Sequence, residues 1–332
     1  MKKIALALVA MSSFASLADT VNVYSFRQDF LIKPILAEFT KETGIETKVV
    51  FAKKGLIERL KREGKYSPAD VVLTSDFAKL LQLKDEGLTQ EITDKNAVAS
   101  VPAKFLDSDG HWVALTKRVR NIYASKAHIS EPTKLTYEQL ADADFKGKIC
   151  TRSGKHPYNL GLIASMIAHK GEAETEKWLQ GVKANLARKP QGNDRAQVKA
   201  IKEGLCDVSL GNSYYYGKML TNKDQKAWAD AVYIVHPNQA DRGAHINVSG
   251  AAIAKHAPHK ANAAKLIEFL ASEKAQQAYA TLNYEYPVNP KVKPAEMVAS
   301  WGEFKEDALS LAEVAKYRKD ALKLVDKVKF DL

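Results

Sequence analysis

Cysteine is nearly absent, with two residues in a chain of 332. This excludes a small scaffold built on disulfides, and Cys150 and Cys206 lack the close spacing of a structural zinc site. Beyond the extreme N-terminus there is no run of about 20 apolar residues that could span a membrane as a helix. No Gly-x-Ser-x-Gly elbow, Walker loop or His-Glu-x-x-His motif occurs, so the common signatures of hydrolases, nucleotide-binding enzymes and zinc proteases are missing. No internal repeat or low-complexity tract is present. Acidic residues are the minority charge, 39 Asp and Glu against 50 Lys and Arg, for a net charge of +11. The basic residues are scattered among acidic neighbours. They read as a solvated surface that steers anions rather than as a nucleic-acid stripe. At 45% hydrophobic and 27% charged, the chain is not disordered. Its length suggests two domains, at about 150 residues each.

The first eighteen residues read as an export signal. Lys2 and Lys3 precede an apolar run from Ile4 to Met11, and small residues at Ser16 and Ala18 mark a cut. The alternative is a buried N-terminal helix, which has no need of the Lys-Lys start. After cleavage the chain would start near Asp19 and carry +9, two lysines fewer. No cysteine follows the cut, so no lipid anchor is expected, and the product reads as a soluble exported protein. In an oxidising compartment Cys150 and Cys206 are an even pair. Each stands at the start of a predicted strand, so two parallel neighbouring strands would bring them into a disulfide. Two buried free thiols are the alternative.

From Val21 the pattern is β-α-β-α-β. Strands are predicted at Val21–Tyr24, Thr47–Phe51 and Ala69–Thr74. Helices are predicted with Pro34 in the first turn and Gly44 as the stop, and over Gly55–Gly64. The pattern restarts at Cys150, with helices around Leu160–His169, Glu174–Val182 and Asp194–Glu203 and a strand over Asp207–Leu210. Two long alternating segments, Val113–Ser125 and Ile246–Lys255, could cross between the two units. The segment from Pro294 is charged and helical. This is an α/β protein with two parallel-sheet lobes and a cleft between them, where ligands bind beyond the carboxyl ends of the strands.

Gly211-Asn212-Ser213-Tyr214-Tyr215-Tyr216-Gly217 directly follows a predicted strand, and Ser153-Gly154-Lys155-His156-Pro157-Tyr158-Asn159 follows another. If those strands are neighbours, Tyr158 lies beside the tyrosine run. Phenolate oxygens suit a hard trivalent cation. The same cluster could equally stack on an organic ligand, since aromatic residues line many pockets.

These segments resemble the bacterial periplasmic ferric-ion-binding proteins, the solute receptors of iron ABC importers. The resemblance runs along essentially the whole exported chain. It is carried by Val23-Tyr24-Ser25-Phe26-Arg27-Gln28, Ser67-Pro68-Ala69-Asp70-Val71-Val72-Leu73-Thr74, Leu115-Thr116-Lys117-Arg118-Val119-Arg120, Lys189-Pro190-Gln191-Gly192-Asn193-Asp194, Asn212-Ser213-Tyr214-Tyr215-Tyr216-Gly217 and Asn247-Val248-Ser249-Gly250. It implies the two-lobed periplasmic solute-binding fold (type II). It also implies Tyr158, Tyr214 and Tyr215 as ligands of Fe3+, with Tyr216 pointing elsewhere. Some relatives place a His or Tyr ligand in the first βα loop. Here that loop reads Ser25-Phe26-Arg27-Gln28-Asp29, which leaves open whether Gln28 or Asp29 supplies one. The remaining coordination is expected from carbonate or bicarbonate, held by Arg27 and Arg118, whose planar forks match an oxyanion.

The expected organisation is a signal peptide over 1–18, the N-lobe over 19–117, the C-lobe over 118–241, an N-lobe return over 242–292 and C-terminal helices over 293–332 packing on the C-lobe. The expected role is a monomeric periplasmic receptor, not an enzyme, that delivers iron to an inner-membrane ABC permease. A receptor for an organic or oxyanion solute is the alternative in the same fold. Lys117 and Arg120 read as surface charge, Asp76 as a helix N-cap, Tyr24 as a strand-core residue, His156 as an exposed histidine, and His256 and His259 as a surface turn.

Overall fold

The computed structural model describes residues 19–52 and 54–332, so the export signal expected over 1–18 lies outside the described residues. The chain enters on β1 (Thr20–Ser25). Val21 and Val23 pack into one apolar cluster and Tyr24 into another on the opposite face. A strand covered on both faces is the rule for the parallel part of an α/β sheet. The helix Asp29–Thr43 buries Ile32, Ile35, Leu36 and Phe39, a single stripe at helical spacing. It stops at Gly44, whose φ of 73° allows the left-handed turn that returns its N–H to the Thr40 carbonyl. Pro34 lies inside this helix rather than in its first turn. The carbonyl it leaves unpaired belongs to Phe30, on an exposed part of the helix where water can reach it.

The remaining strands are β2 (Glu46–Phe51), β3 (Val71–Thr74), β4 (Thr89–Gln90), β5 (Val113–Ser125), β6 (Ile149–Cys150), β7 (Val208–Asn212), β8 (Val232–Val235), β9 (Ile246–Ala254) and β10 (Tyr286–Pro287). Their order is β2-β1-β3-β9-β5-β7-β6, with β10 and β8 also on β5 and β4 on β9. The two parallel cores are β2-β1-β3 in the N-lobe and β7-β6 in the C-lobe. Neither lobe is parallel throughout, because the long strands that cross between them run antiparallel to their neighbours. Strand β5 pairs with β9 from Val113 to Val119. It then pairs with β7 from Arg120 onward and with β8 from Ile122. The partners of β5 therefore exchange at Val119 and Arg120.

Cys150 and Cys206 form a disulfide, with Cα atoms 5.9 Å apart; Cys150 is the last residue of the two-residue β6 and Cys206 stands two residues before its parallel neighbour β7, so neither opens its strand as expected. The helices Leu311–Lys316 and Arg318–Lys327 pack on the C-lobe helix Pro157–Lys170. Among the described residues no helix is long and apolar enough to cross a membrane.

The bridge closes a loop of 56 residues. Thiol titration of denatured, unreduced protein should therefore find no titratable thiol. Replacing both cysteines with alanine should lower the unfolding free energy by about 2–4 kcal/mol in a urea titration.

Candidate functional site

Strand β7 ends at Asn212, and the helix Ser213–Leu220 begins at the next residue. Tyr214, Tyr215 and Tyr216 therefore occupy the first helical turn, at the carboxyl end of a parallel strand. Strand β6 leads through residues 151–156 into the helix Pro157–Lys170, which carries Tyr158 at its second position. Because β6 and β7 are parallel neighbours, both helix N-termini emerge at the same end of the sheet. The helix Asp194–Lys202 also starts there, since Asp194 accepts the backbone N–H of Asn212 at 3.0 Å. Two glycines flank the tyrosine run for a packing reason. A Cβ on Gly211 would lie 2.1 Å from the Tyr123 ring, and one on Gly217 would lie 2.4 Å from Tyr284.

The structure brings Tyr158, Tyr214 and Tyr215 together. The Tyr214 and Tyr215 rings are 4.1 Å apart between centroids. Burial, then the neighbouring Tyr158 and Tyr215 phenols, pushes the Tyr214 pKa well above that of a free tyrosine. Tyr215 is raised by burial, then by Tyr158 and Asp194. Tyr216 turns away. It packs against Tyr123 and Trp301, and its hydroxyl reaches only toward the Val232 carbonyl.

Guanidinium groups surround this cluster. Arg118 lies over Tyr214 at 5.9 Å, Arg152 and Arg120 over Tyr158 at 5.5 and 5.9 Å, and Arg195 over Tyr215 at 5.9 Å. Helix N-termini and cations both favour phenolate. Each helix end contributes only about 0.3–2 kcal/mol. Ionising an ordinary phenol at pH 7 costs about 4 kcal/mol, and burial adds to that here. For Tyr214 and Tyr215 burial outweighs these favourable terms and pushes both pKa values up.

Arg27 and Arg118 also lie together, but on a carboxylate that sequence reasoning missed. Glu285 accepts from Arg27 at 2.9–3.0 Å, from Arg118 at 3.2 Å and from the Thr116 hydroxyl at 3.0 Å. Arg118 also donates to the Ser75 carbonyl, and its buried Nε has no protein partner. Burial alone would raise the Glu285 pKa. Arg27 and Arg118 more than offset it and hold the carboxyl below the usual range. Glu285 follows Tyr284, which sits in the left-handed region at φ 58° and turns the chain inward after the helix Glu273–Asn283.

A second buried group mirrors the first. Arg120 is 2% exposed, so its reading as surface charge is overturned. It donates to Asp194 at 2.6 Å, to Asn159 at 2.6 Å and to Asn212 at 3.1 Å, and Arg152 donates to Asp194 at 3.0 Å. Arg118 and Arg120 share one face of β5 by its period of two, a signal present in the sequence. Lys117, on the other face, pairs with Glu306.

Other residues have plain structural partners. Asp76 caps its helix by accepting from the Ala78 N–H at 2.9 Å. The Tyr24 hydroxyl donates to Glu63. His259 pairs with Asp70. His156 is not an exposed bystander. Its ring accepts the Tyr158 N–H at 3.2 Å, and burial, then Arg152, pushes its pKa down to about 3. Gln28 is exposed, and Asp29 pairs with Lys33 at 2.6 Å. Among the described residues no group of three or more His, Cys, Asp and Glu is placed to hold a metal.

Removing the shared carboxylate leaves two buried guanidiniums facing each other. Glu285→Ala should therefore destabilise the fold by about 3–5 kcal/mol in chemical unfolding, far more than the surface change Glu131→Ala.

The sequence profile of the bacterial extracellular solute-binding proteins matches residues 51–303. Iron uptake protein A1 of Synechocystis sp. is 41% identical over 321 residues, covering 94% of this chain and 89% of that protein. The crystal structure of apo ferric ion-binding protein A from Pasteurella haemolytica superposes with a TM-score of 0.91 at 52% identity, covering 95% of this chain and 99% of that one. A Trichodesmium protein in complex with iron and citrate ligands superposes with a TM-score of 0.89 at 38% identity, covering 94% and 99%. The chain belongs to the bacterial extracellular solute-binding protein family, on the branch that holds the iron uptake and ferric-ion-binding proteins.

Proposed function

We propose that this protein is a periplasmic receptor that takes ferric iron on the phenolates of Tyr158, Tyr214 and Tyr215. A small planar anion, carbonate or bicarbonate, completes the coordination, and the iron passes to an inner-membrane ABC permease. One observation carries the reading: three phenols converge from two helix N-termini beneath a ring of guanidinium groups. Fe3+ with three phenolates is electrically neutral. A carbonate dianion then needs two positive charges. The Arg27–Glu285–Arg118 group and the Arg120–Asp194–Arg152 group each carry one in excess. The relatives' names support iron as the cargo and uptake as the role, and the name of a Serratia marcescens relative, Fe(3+)-binding periplasmic protein, supports the periplasm as the location.

The same guanidinium ring also favours an organic or oxyanion solute stacked on the tyrosines. Colour separates the two readings. Ferric iron added to the protein should produce a visible phenolate-to-iron band. Tyr158→Phe, Tyr214→Phe or Tyr215→Phe should each bleach much of it, and Tyr216→Phe should leave it intact. A colourless protein that binds an organic anion would support the second reading.

Each phenol that binds iron must release a proton. The Tyr214 and Tyr215 pKa values are raised without iron and must fall in the bound state, so binding weakens as pH falls. Log affinity should rise with pH at a slope of about 3 below pH 7, after correction for iron hydrolysis and carbonate protonation. Tyr214→Phe should reduce that slope by about one unit. Arg118→Ala should shift the visible band and weaken iron retention, more so in bicarbonate-free buffer.

A further inference from the structure

Tyr214 and Tyr215 follow β7 with no intervening loop, so the sheet itself sets their place. Tyr158, in the first turn of the helix Pro157–Lys170, is joined to its strand less directly. Strand β6 is only Ile149–Cys150, and residues 151–157 separate it from Tyr158. A ligand at a helix start reached through a loop is placed in part by the bonds that tie that loop down.

From the inside, Asn159 ties it by donating to the Thr151 hydroxyl and to the Arg152 and Ser153 carbonyls. From the outside, the ties come from the far end of the sequence. Asp331 accepts the Ser153 hydroxyl at 2.6 Å and the Gly154 N–H at 2.7 Å. Phe330, almost fully buried, lies against Gly154 so closely that a Cβ there would come within 2.8 Å of its ring. Arg318 donates to the Pro157 carbonyl at 3.3 Å. The Lys155–Asp326 pair is exposed on both sides and adds little.

We infer that Phe330 and Asp331 are positioning residues for Tyr158: they clamp the loop that presents this phenol and so govern one of the three ligands without touching it. The inference rests on the iron reading above only for its consequence in binding; the clamp itself is a property of the chain. The two hydrogen bonds to Asp331 are short, and a carboxylate acceptor makes such bonds stronger than neutral ones. They hold two successive residues of the loop, which removes freedom at the step where the chain leaves the strand.

Two measurements on the full chain test the clamp. The first is amide hydrogen exchange of iron-free protein. Asp331→Ala should speed exchange over residues 151–158 by about tenfold, the scale set by one lost net hydrogen bond. Residues 208–216 should not change, and Asp331→Asn, which keeps one acceptor oxygen but loses the second and the charge, should fall between wild type and Asp331→Ala. The second is a double-mutant cycle in ferric-iron affinity. Asp331→Ala should weaken binding severalfold in the wild-type background and hardly at all in the Tyr158→Phe background, because it acts through that phenol. Unchanged exchange over 151–158, or equal losses in the two backgrounds, would overturn the inference. If wild-type protein takes no ferric iron, the receptor reading fails and the exchange measurement alone decides the clamp.

Discussion

Arg118 and Arg120 stand two residues apart on β5, at the point where that strand leaves β9 and joins β7. Both are almost fully buried, so each needs a carboxylate: Glu285 for Arg118 and Asp194 for Arg120. A buried ion pair adds little net stability, but breaking it strands a charge. These pairs therefore matter chiefly for placement. Glu285 ties β5 to Arg27 in the first βα loop and to the turn after the helix Glu273–Asn283. Asp194 ties it to Arg152, to the end of β7 and, through Arg120, to Asn159 beside Tyr158. The charges that surround the tyrosines are thus locked to the strand that joins the lobes.

The same locking sets the charges that face Tyr214 and Tyr215. Three helices begin at this end of the C-lobe, and four guanidiniums lie over the tyrosine rings. Their combined field favours phenolate. At Tyr214 and Tyr215 burial, and then the neighbouring phenols, oppose it and raise the pKa. The arrangement suits a trivalent ion because its charge can tip a balance that side chains alone leave on the protonated side. Close packing supplies the remaining precision. Gly211 and Gly217 let Tyr123 and Tyr284 press against either end of the tyrosine turn, and Tyr216 anchors that turn through Trp301.

Local chemistry made much of this legible in the sequence. The extended character of β5 and β9, the Gly44 stop and the helical stripe of Ile32, Ile35, Leu36 and Phe39 follow from short-range composition, periodicity and backbone conformation, although both strands are buried along nearly their whole length rather than in alternation. Parallel neighbours at β6 and β7 are the condition under which the two cysteines pair and Tyr158 meets the tyrosine run, and the structure meets that condition although neither cysteine opens its strand. Tertiary structure alone decided the partners of the buried Glu285 and the half-buried Asp331. Glu285 meets Arg27 across 258 residues, and Asp331 meets Ser153 across 178. Nothing in the neighbourhood of either acid marks it as buried or paired. A strand or helix is specified by neighbours within a few residues, whereas a buried salt bridge exists only once several elements have packed and excluded water from both charges at once.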